Sequence, residues 1–269
     1  METKKKFFSA ITVLAIGIGL TVAVSSNAHA GNVSLSAGYA GENVHFSGNN
    51  GISDSGWLNG FYVGSNYVTD SSIWGLGNLD LGLKLKYLTN TISNNSTGAS
   101  NIATTKIELN GGFDQKLAEN IVLGEYGILG YDFYHRRLKN SNDYTEDYKY
   151  GYVGLGAKIQ VDNLLVNNLN AGLNVSGRWS PSWSSINYMA SSYGEFDTGN
   201  GYNFKVEVPL SYNILKNLSI NLNLYYSYWH FGSSNSKNIV VNNVVFQQVE
   251  EPSHEINSTG LDFGMTYKF

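Results

Sequence analysis

Between residues 79 and 87 the chain sets Leu79, Leu81, Leu83, Leu85 and Tyr87 at every second position, with Asp80, Gly82, Lys84 and Lys86 between them. A repeat of two is the period of a β-strand and sends the two sets to opposite faces. One face is then wholly apolar, while the other carries two lysines and an aspartate, which a dry two-sided core does not accommodate. Hydrocarbon outside and an ion-paired or wet lumen inside satisfy both faces, which is the arrangement of a transmembrane β-barrel.

The same alternation recurs along the chain. Val33, Leu35, Ala37 and Tyr39 open it, and Phe61, Val63 and Tyr67 share a parity within 57–68. In 102–113, Ala103, Thr105, Ile107, Leu109 and Phe113 oppose Thr104, Lys106, Glu108 and Asn110. Later segments set Val153, Leu155, Ala157 and Ile159 against Lys158, and Leu169 to Trp179 against a polar set that includes Arg178. Phe204, Val206 and Val208 oppose Lys205 and Glu207, and Leu218 to Tyr228 oppose serines and asparagines. In the last nine residues Leu261, Phe263, Met265, Tyr267 and Phe269 alternate with Asp262, Gly264, Thr266 and Lys268. The phase of 121–134 is set by which acid meets lipid. Sparing Glu125 favours Val122, Tyr126 and Ile128 outward, with Asp132 near the rim.

These segments predict an all-β, antiparallel up-and-down transmembrane barrel of ten strands, with eight or twelve as alternatives. Outer connectors fall near 47–56, 90–101, 135–147, 180–200 and 232–254, and inner turns near 69–78, 114–120, 162–168 and 213–217, the long and short alternation expected of a bacterial barrel. Apolar residues within 232–254, from Ile239 to Val249, leave open an extracellular hairpin or a further crossing pair. Pro209 lacks the N–H a ladder needs and predicts a bulge or local break.

Ahead of the strands, Lys4-Lys5-Lys6, an apolar run from Phe7 and the small residues Ala28 and Ala30 read as a cleaved signal peptide over 1–30, leaving the barrel on 31–269. The chain has 17 Lys+Arg and 21 Asp+Glu, and removing Glu2 and the three lysines leaves 14 cations against 20 acids, a net charge of −6. That balance gives no drive toward nucleic acid. Cysteine is absent, which excludes thiol chemistry. The 14 % charged fraction falls below the roughly 25 % of soluble chains, a deficit that a lipid-facing belt explains.

The glycine-rich alternating strands, the leader and the terminal Met265-Thr266-Tyr267-Lys268-Phe269 resemble small Gram-negative outer-membrane β-barrel proteins of the opacity-type and porin-like group. The resemblance implies residence in the outer membrane, with contacts to its lipid and lipopolysaccharide. It also implies an assembly signal for the barrel-assembly machinery carried by Phe263, Met265, Tyr267 and Phe269. Members of the group include adhesins, narrow channels, structural proteins and a few hydrolases.

Chemistry in such a chain concentrates in the lumen, where alternation projects Lys84, Lys86, Lys106, Glu108, Lys158, Arg178, Lys205, Glu207 and Asp262. Opposite charges there either neutralise one another and fill the tube, or leave a basic constriction passing polar or anionic solutes. Lys84, Lys86, Arg178 and Lys205 are the candidates for a solute-facing cluster. The leading expectation is therefore a small porin-like barrel. The alternative is a closed structural or adhesive barrel meeting a host surface through its loops. A hydrolase reading would draw on Asp132, His135, Asp143, Glu146 and Asp147, with Asp197 and His254 in later loops, though no catalytic set matches residue by residue. No metal-ligand spacing or cofactor motif is present, the histidines being dispersed.

Overall fold

The computed structural model describes residues 31–269 apart from 49–50, 97, 139–144, 182, 190–191, 235, 242–243 and 250–251, so the expected signal segment lies outside the described residues. Its strands are β1 (Gly31–Gly48), β2 (Ser53–Ser72), β3 (Asn78–Asn94), β4 (Gly98–Ala118), β5 (Ile121–Leu138), β6 (Thr145–Val161) and β7 (Leu169–Ser180). They continue with β8 (Trp183–Met189), β9 (Ser192–Thr198), β10 (Gly201–Leu215), β11 (Leu218–Phe231), β12 (Lys237–Val241), β13 (Val244–Val249) and β14 (His254–Lys268). Every pairing is antiparallel, and β1–β7, β10, β11 and β14 close into a ten-stranded up-and-down barrel through β14–β1 and β5–β6. Closure is what hydrocarbon demands, because an unpaired backbone edge there finds no water to bond.

The barrel is taller than the bilayer requires. A crossing takes about 9–11 tilted residues, whereas β2 has 20 and β4 has 21. Much of what read as outer loops is strand: β3 runs to Asn94 before β4 starts at Gly98, and β1 runs to Gly48. Outside the membrane the outward residues turn polar, as at Thr89, Thr91 and Asn101, so the apolar half of the alternation vanishes while the backbone ladder continues. Within 232–254, β12 and β13 pair antiparallel with each other and not with the barrel wall, one of the two forms the sequence left open. A second hairpin, β8–β9, leaves the wall to pair with the upper part of β6.

Parity follows the sequence on every barrel strand except β5. There Leu129 is 57 % exposed, while Ile128, Asp132 and Tyr134 are buried inside, so the odd residues face out and Glu125 is exposed. The reason is depth. Glu125 stands only four residues from the periplasmic start of β5, where charge costs little, while Asp132 would lie deep in lipid if turned outward. Inside, the Asp132 rung pairs with that of Lys106. Pro209 behaves as expected: the β7–β10 ladder passes from Glu207–Asn174 to Leu210–Ala171 without the two rungs between, while Pro209 keeps its rung with Asn223 on β11.

The core lies within the tube. Its outer half holds Leu58, Leu88, Ile102, Val44 and Ala40, all almost fully buried, beneath a cluster of Phe46, Tyr134, Tyr148, Tyr150, Trp229, Phe231 and Ile256. Burying a large apolar side chain stabilises by about 1.5–3 kcal/mol, so this half folds as a water-soluble core would. The wall admits no bulk at several glycines. A Cβ on Gly60 would lie 1.8 Å from the Tyr87 carbonyl oxygen, whereas one on Gly177 meets nothing within 4 Å. Gly60→Ala is therefore expected to lower urea-unfolding stability in detergent by about 1–3 kcal/mol, and Gly177→Ala to stay within about 0.5 kcal/mol of the parent.

Candidate functional site

Every lumen residue expected from the sequence does face inward, and the tube sorts them by height. Toward the periplasm the inward positions are small or uncharged, such as Ser36, Gly64, Gly82, Asn110 and Asn221, with one ionic group among them. Lys158 binds Asp80 and lies 2.9 Å from Asp114. Above sits a belt of five cations, Lys84, Lys86, Lys106, Arg178 and Lys205, and five carboxylates, Glu42, Glu108, Asp132, Glu207 and Asp262.

Asp262 organises one side of the belt. Its two carboxylate oxygens meet Lys84 Nζ at 2.6 Å and Lys86 Nζ at 2.7 Å, and the residue is 2 % exposed. Lys86 also stands 4.3 Å from the Tyr225 ring centre and donates to its hydroxyl at 3.2 Å. That hydroxyl donates at 2.8 Å to Glu42, which receives Lys106 at 2.8 and 2.9 Å. Across the tube, Arg178 donates to Glu108 at 2.7 Å and to Asn203 at 3.0 Å. Lys205 pairs with Glu207 at 2.8 Å, and Asn223 donates to the same carboxylate. Tyr152 bridges by donating to Glu108 at 3.2 Å and Asp132 at 3.5 Å. Charges removed from water are held only where partners and hydrogen bonds replace hydration, and here each cation has a carboxylate beside it.

Above the belt the lumen is stoppered by rings. Trp229 stacks on Phe231 at 5.2 Å, Tyr150 and Tyr152 meet Trp229 edge-on at 5.4 Å, and His254 stacks on Phe46 at 5.2 Å and leans at a tilt against Phe231 at 4.9 Å. At the extracellular mouth Arg136 joins Asp54 and Glu146, each at 2.5 Å, while Ser100 and Asn94 donate to Asp54.

The sequence reading missed Glu42, Asp54 and Arg136; it put Tyr152 and Tyr225 on the inward parity without giving them a part in the lumen, and it named Glu146 only for a hydrolase. Glu42 continues the even parity of β1 beyond Tyr39, a signal that a longer reading of that strand would have found. The groups grouped for a hydrolase are divided by the wall. Asp132 and Glu146 point into the lumen, whereas His135 and Asp147 pair at 2.5 Å on the outward parity of β5 and β6. His254 belongs to the ring stopper, Asp197 falls on β9, and Asp143 lies outside the described residues. Among the described residues no group of acids and histidines is arranged to hold a metal.

Outward aromatics mark where lipid gives way to water. Tyr39 donates to Asn59 at 2.5 Å and Trp57 to Asn59 at 2.8 Å, and Tyr226 donates to Asn257 at 3.0 Å. Rings with one apolar and one polar edge suit that boundary. Beneath them Leu155, 76 % exposed, and Phe263, Met265 and Leu224 form an uncharged belt.

No family model and no curated protein matches the sequence. Among solved structures, the outer membrane protease OmpT from Escherichia coli is similar in fold, with TM-score 0.55 and 11 % identity over 89 % of this chain and 96 % of that one. The translocator domain of autotransporter NalP from Neisseria meningitidis aligns at TM-score 0.48 and 11 % identity, covering 99 % of this chain and 98 % of that one. OprG from Pseudomonas aeruginosa aligns at 0.38 and 10 %, covering 90 % and 97 %. The lipid-facing belt and the closed antiparallel ladder make this chain a transmembrane β-barrel with the fold of a small outer-membrane barrel such as OmpT.

Two outcomes follow from the lumen. Asp262→Ala strands Lys84 and Lys86 without their shared carboxylate and is expected to cost about 3–5 kcal/mol, read as a lowered urea midpoint in detergent micelles. Above the bilayer, burial holds His254 neutral down to about pH 4, against Pro252, whose carbonyl accepts its Nδ1–H and favours the charged form; His230 and Arg136 add to the depression. A depressed folded pKa means the unfolded chain takes the proton first, so the His254 contribution is whole above about pH 6.5 and is lost as pH falls toward 4. Hydrogen exchange of the Phe231 and Ile256 amides is expected to quicken across that window, and His254→Phe to remove the dependence.

Proposed function

We propose that this protein is a closed outer-membrane barrel that acts at its extracellular face as a structural or adhesive surface element. The observation carrying this reading is the filled lumen: a charge-balanced belt of five cations and five carboxylates, capped by packed aromatic rings. An aqueous pore needs lumen side chains that water can reach, yet Glu42 and Asp262 are 1 % and 2 % exposed. The tall strands support the same reading, because they raise the β8–β9 and β12–β13 hairpins clear of the lipid belt, where a host surface would meet them.

The porin-like reading, with narrow passage of polar or anionic solutes, has one observation in its favour. The side chains of Lys84 and Lys106 retain 33 % and 29 % exposure inside the tube, so the belt is not uniformly dry. Planar-bilayer recording separates the two. A closed barrel gives no discrete conductance steps from the refolded wild type, while Asp262→Ala combined with Trp229→Ala, which removes a counter-ion and part of the stopper, creates them. Steps from the wild type whose anion preference reverses in Lys84→Glu, Lys86→Glu would replace the closed reading with the channel.

A further inference from the structure

The periplasmic half of the lumen holds one charged group that the belt above does not use. Lys158 of β6 and Asp114 of β4 lie on either side of Gly124 of β5, each sharing a rung with it, and Asp80 of β3 shares the rung of Gly112, two residues from Asp114. Gly124 leaves the space in which they meet: a Cβ there would lie 2.4 Å from Asp114 Oδ1 and 2.5 Å from Lys158 Cε. The Lys158 nitrogen binds an Asp80 carboxyl oxygen and lies 2.9 Å from Asp114 Oδ1. The side chains of Lys158, Asp80 and Asp114 are 19 %, 14 % and 18 % exposed, so little water separates them.

Two carboxylates and one ammonium would leave a surplus negative charge inside a tube girdled by hydrocarbon, where charge is expensive. The Asp80 and Asp114 carboxyls are in hydrogen-bond contact, a contact that two carboxyls make by sharing one proton. The group is then neutral as a whole, an ammonium, a carboxylate and a carboxylic acid. Moving one proton from the ammonium to the carboxylate leaves a free amine against a carboxylic acid, with a second acid alongside to relay protons. Those are the parts that amide formation needs: a nucleophile, an electrophile held against it and a proton donor. Among the ion pairs of the described residues, no other lysine is set against two carboxylates. The cluster at the extracellular mouth also places two acids on one cation, but the guanidinium of Arg136 does not give up its proton.

We infer that Lys158 and Asp80 are joined by an isopeptide bond, with Asp114 relaying the protons. The Lys158 amine attacks Cγ of Asp80. A Cγ–N bond forms and the Cγ–OH bond breaks; the hydroxyl takes the proton of Asp114 and departs as water, and Asp114 recovers a proton from the attacking nitrogen. No oxidant or further reactant enters. The bond passes over β4 and β5 to tie β3 to β6, a covalent tie in a chain that has no cysteine. It is independent of whether the lumen conducts.

Intact-mass spectrometry and tryptic mapping of the protein extracted from the membranes of expressing cells test the bond. The wild type is expected to weigh one water less than its unmodified chain, and to give a branched peptide joining the segment that holds Asp80 to the segment that holds Lys158. Lys158→Arg keeps the charge and is expected to show full mass. Asp80→Asn, almost the same in shape, is expected to give the same branched peptide by losing ammonia in place of water, a signature that an ion pair does not produce. Asp114→Ala retains both bonded residues and is expected to lower the cross-linked fraction by at least about tenfold, with Asp114→Glu restoring it; Asp114→Asn serves in its place should the alanine variant fold poorly, as judged by heat-modifiable gel migration. Folded wild type at full mass, with no branched peptide, would overturn the bond. A cross-linked fraction in the folded Asp114 variant equal to that of the wild type would overturn the part given to Asp114.

Discussion

The shared carboxylate of Asp262 is the contact on which the interior depends. Two lysines one residue apart in the inward series of β3 repel each other, and in a tube girdled by hydrocarbon there is little water to screen them. A single acid on the closing strand accepts both. Because that acid sits on β14 and the lysines on β3, the pair also ties the last strand to the third across the barrel, with β1 and β2 between. Glu42, Tyr225 and Lys106 extend the tie to β4 and β11. The belt is thus a cross-brace as much as a plug, and it fixes which inward faces meet.

Much of this was readable from residue parity alone. Leu79 to Tyr87 against Asp80, Lys84 and Lys86 gave both the strand and its two environments, and the closing segment from Leu261 gave the strand that seals the sheet. Parity works in the bilayer because the two faces meet different solvents. It fails above the bilayer, where both faces of 90–94 and 98–101 are polar or mixed, and strand there is indistinguishable from loop. For the same reason the upper ion pairs of Asp54, Arg136 and Glu146 were invisible.

The phase of β5 shows a different limit. Glu125 and Asp132 lie on opposite parities, so one acid had to face outward, and a sequence gives parity without depth. Depth decided it, since an acid near a strand end reaches headgroups while one in mid-strand does not. Pairing was also beyond reach. Most inward charges of the membrane-crossing strands were identifiable, Glu42 and Asp132 excepted, but which lysine met which acid depends on strand stagger around the barrel, and a period of two leaves stagger undetermined.

Height has a thermodynamic consequence of its own. In the membrane-embedded half the apolar side chains face lipid and the inward ones are small or ionic, so its interior coheres by ion pairs and hydrogen bonds. The portion above, with Leu58, Leu88, Ile102 and the stacked rings enclosed by a polar exterior, coheres by expelling water and carries the heat-capacity increment that goes with it. One continuous sheet therefore encloses two interiors, an ionic one below and a water-expelling one above, and cooling weakens the cohesion of the upper one.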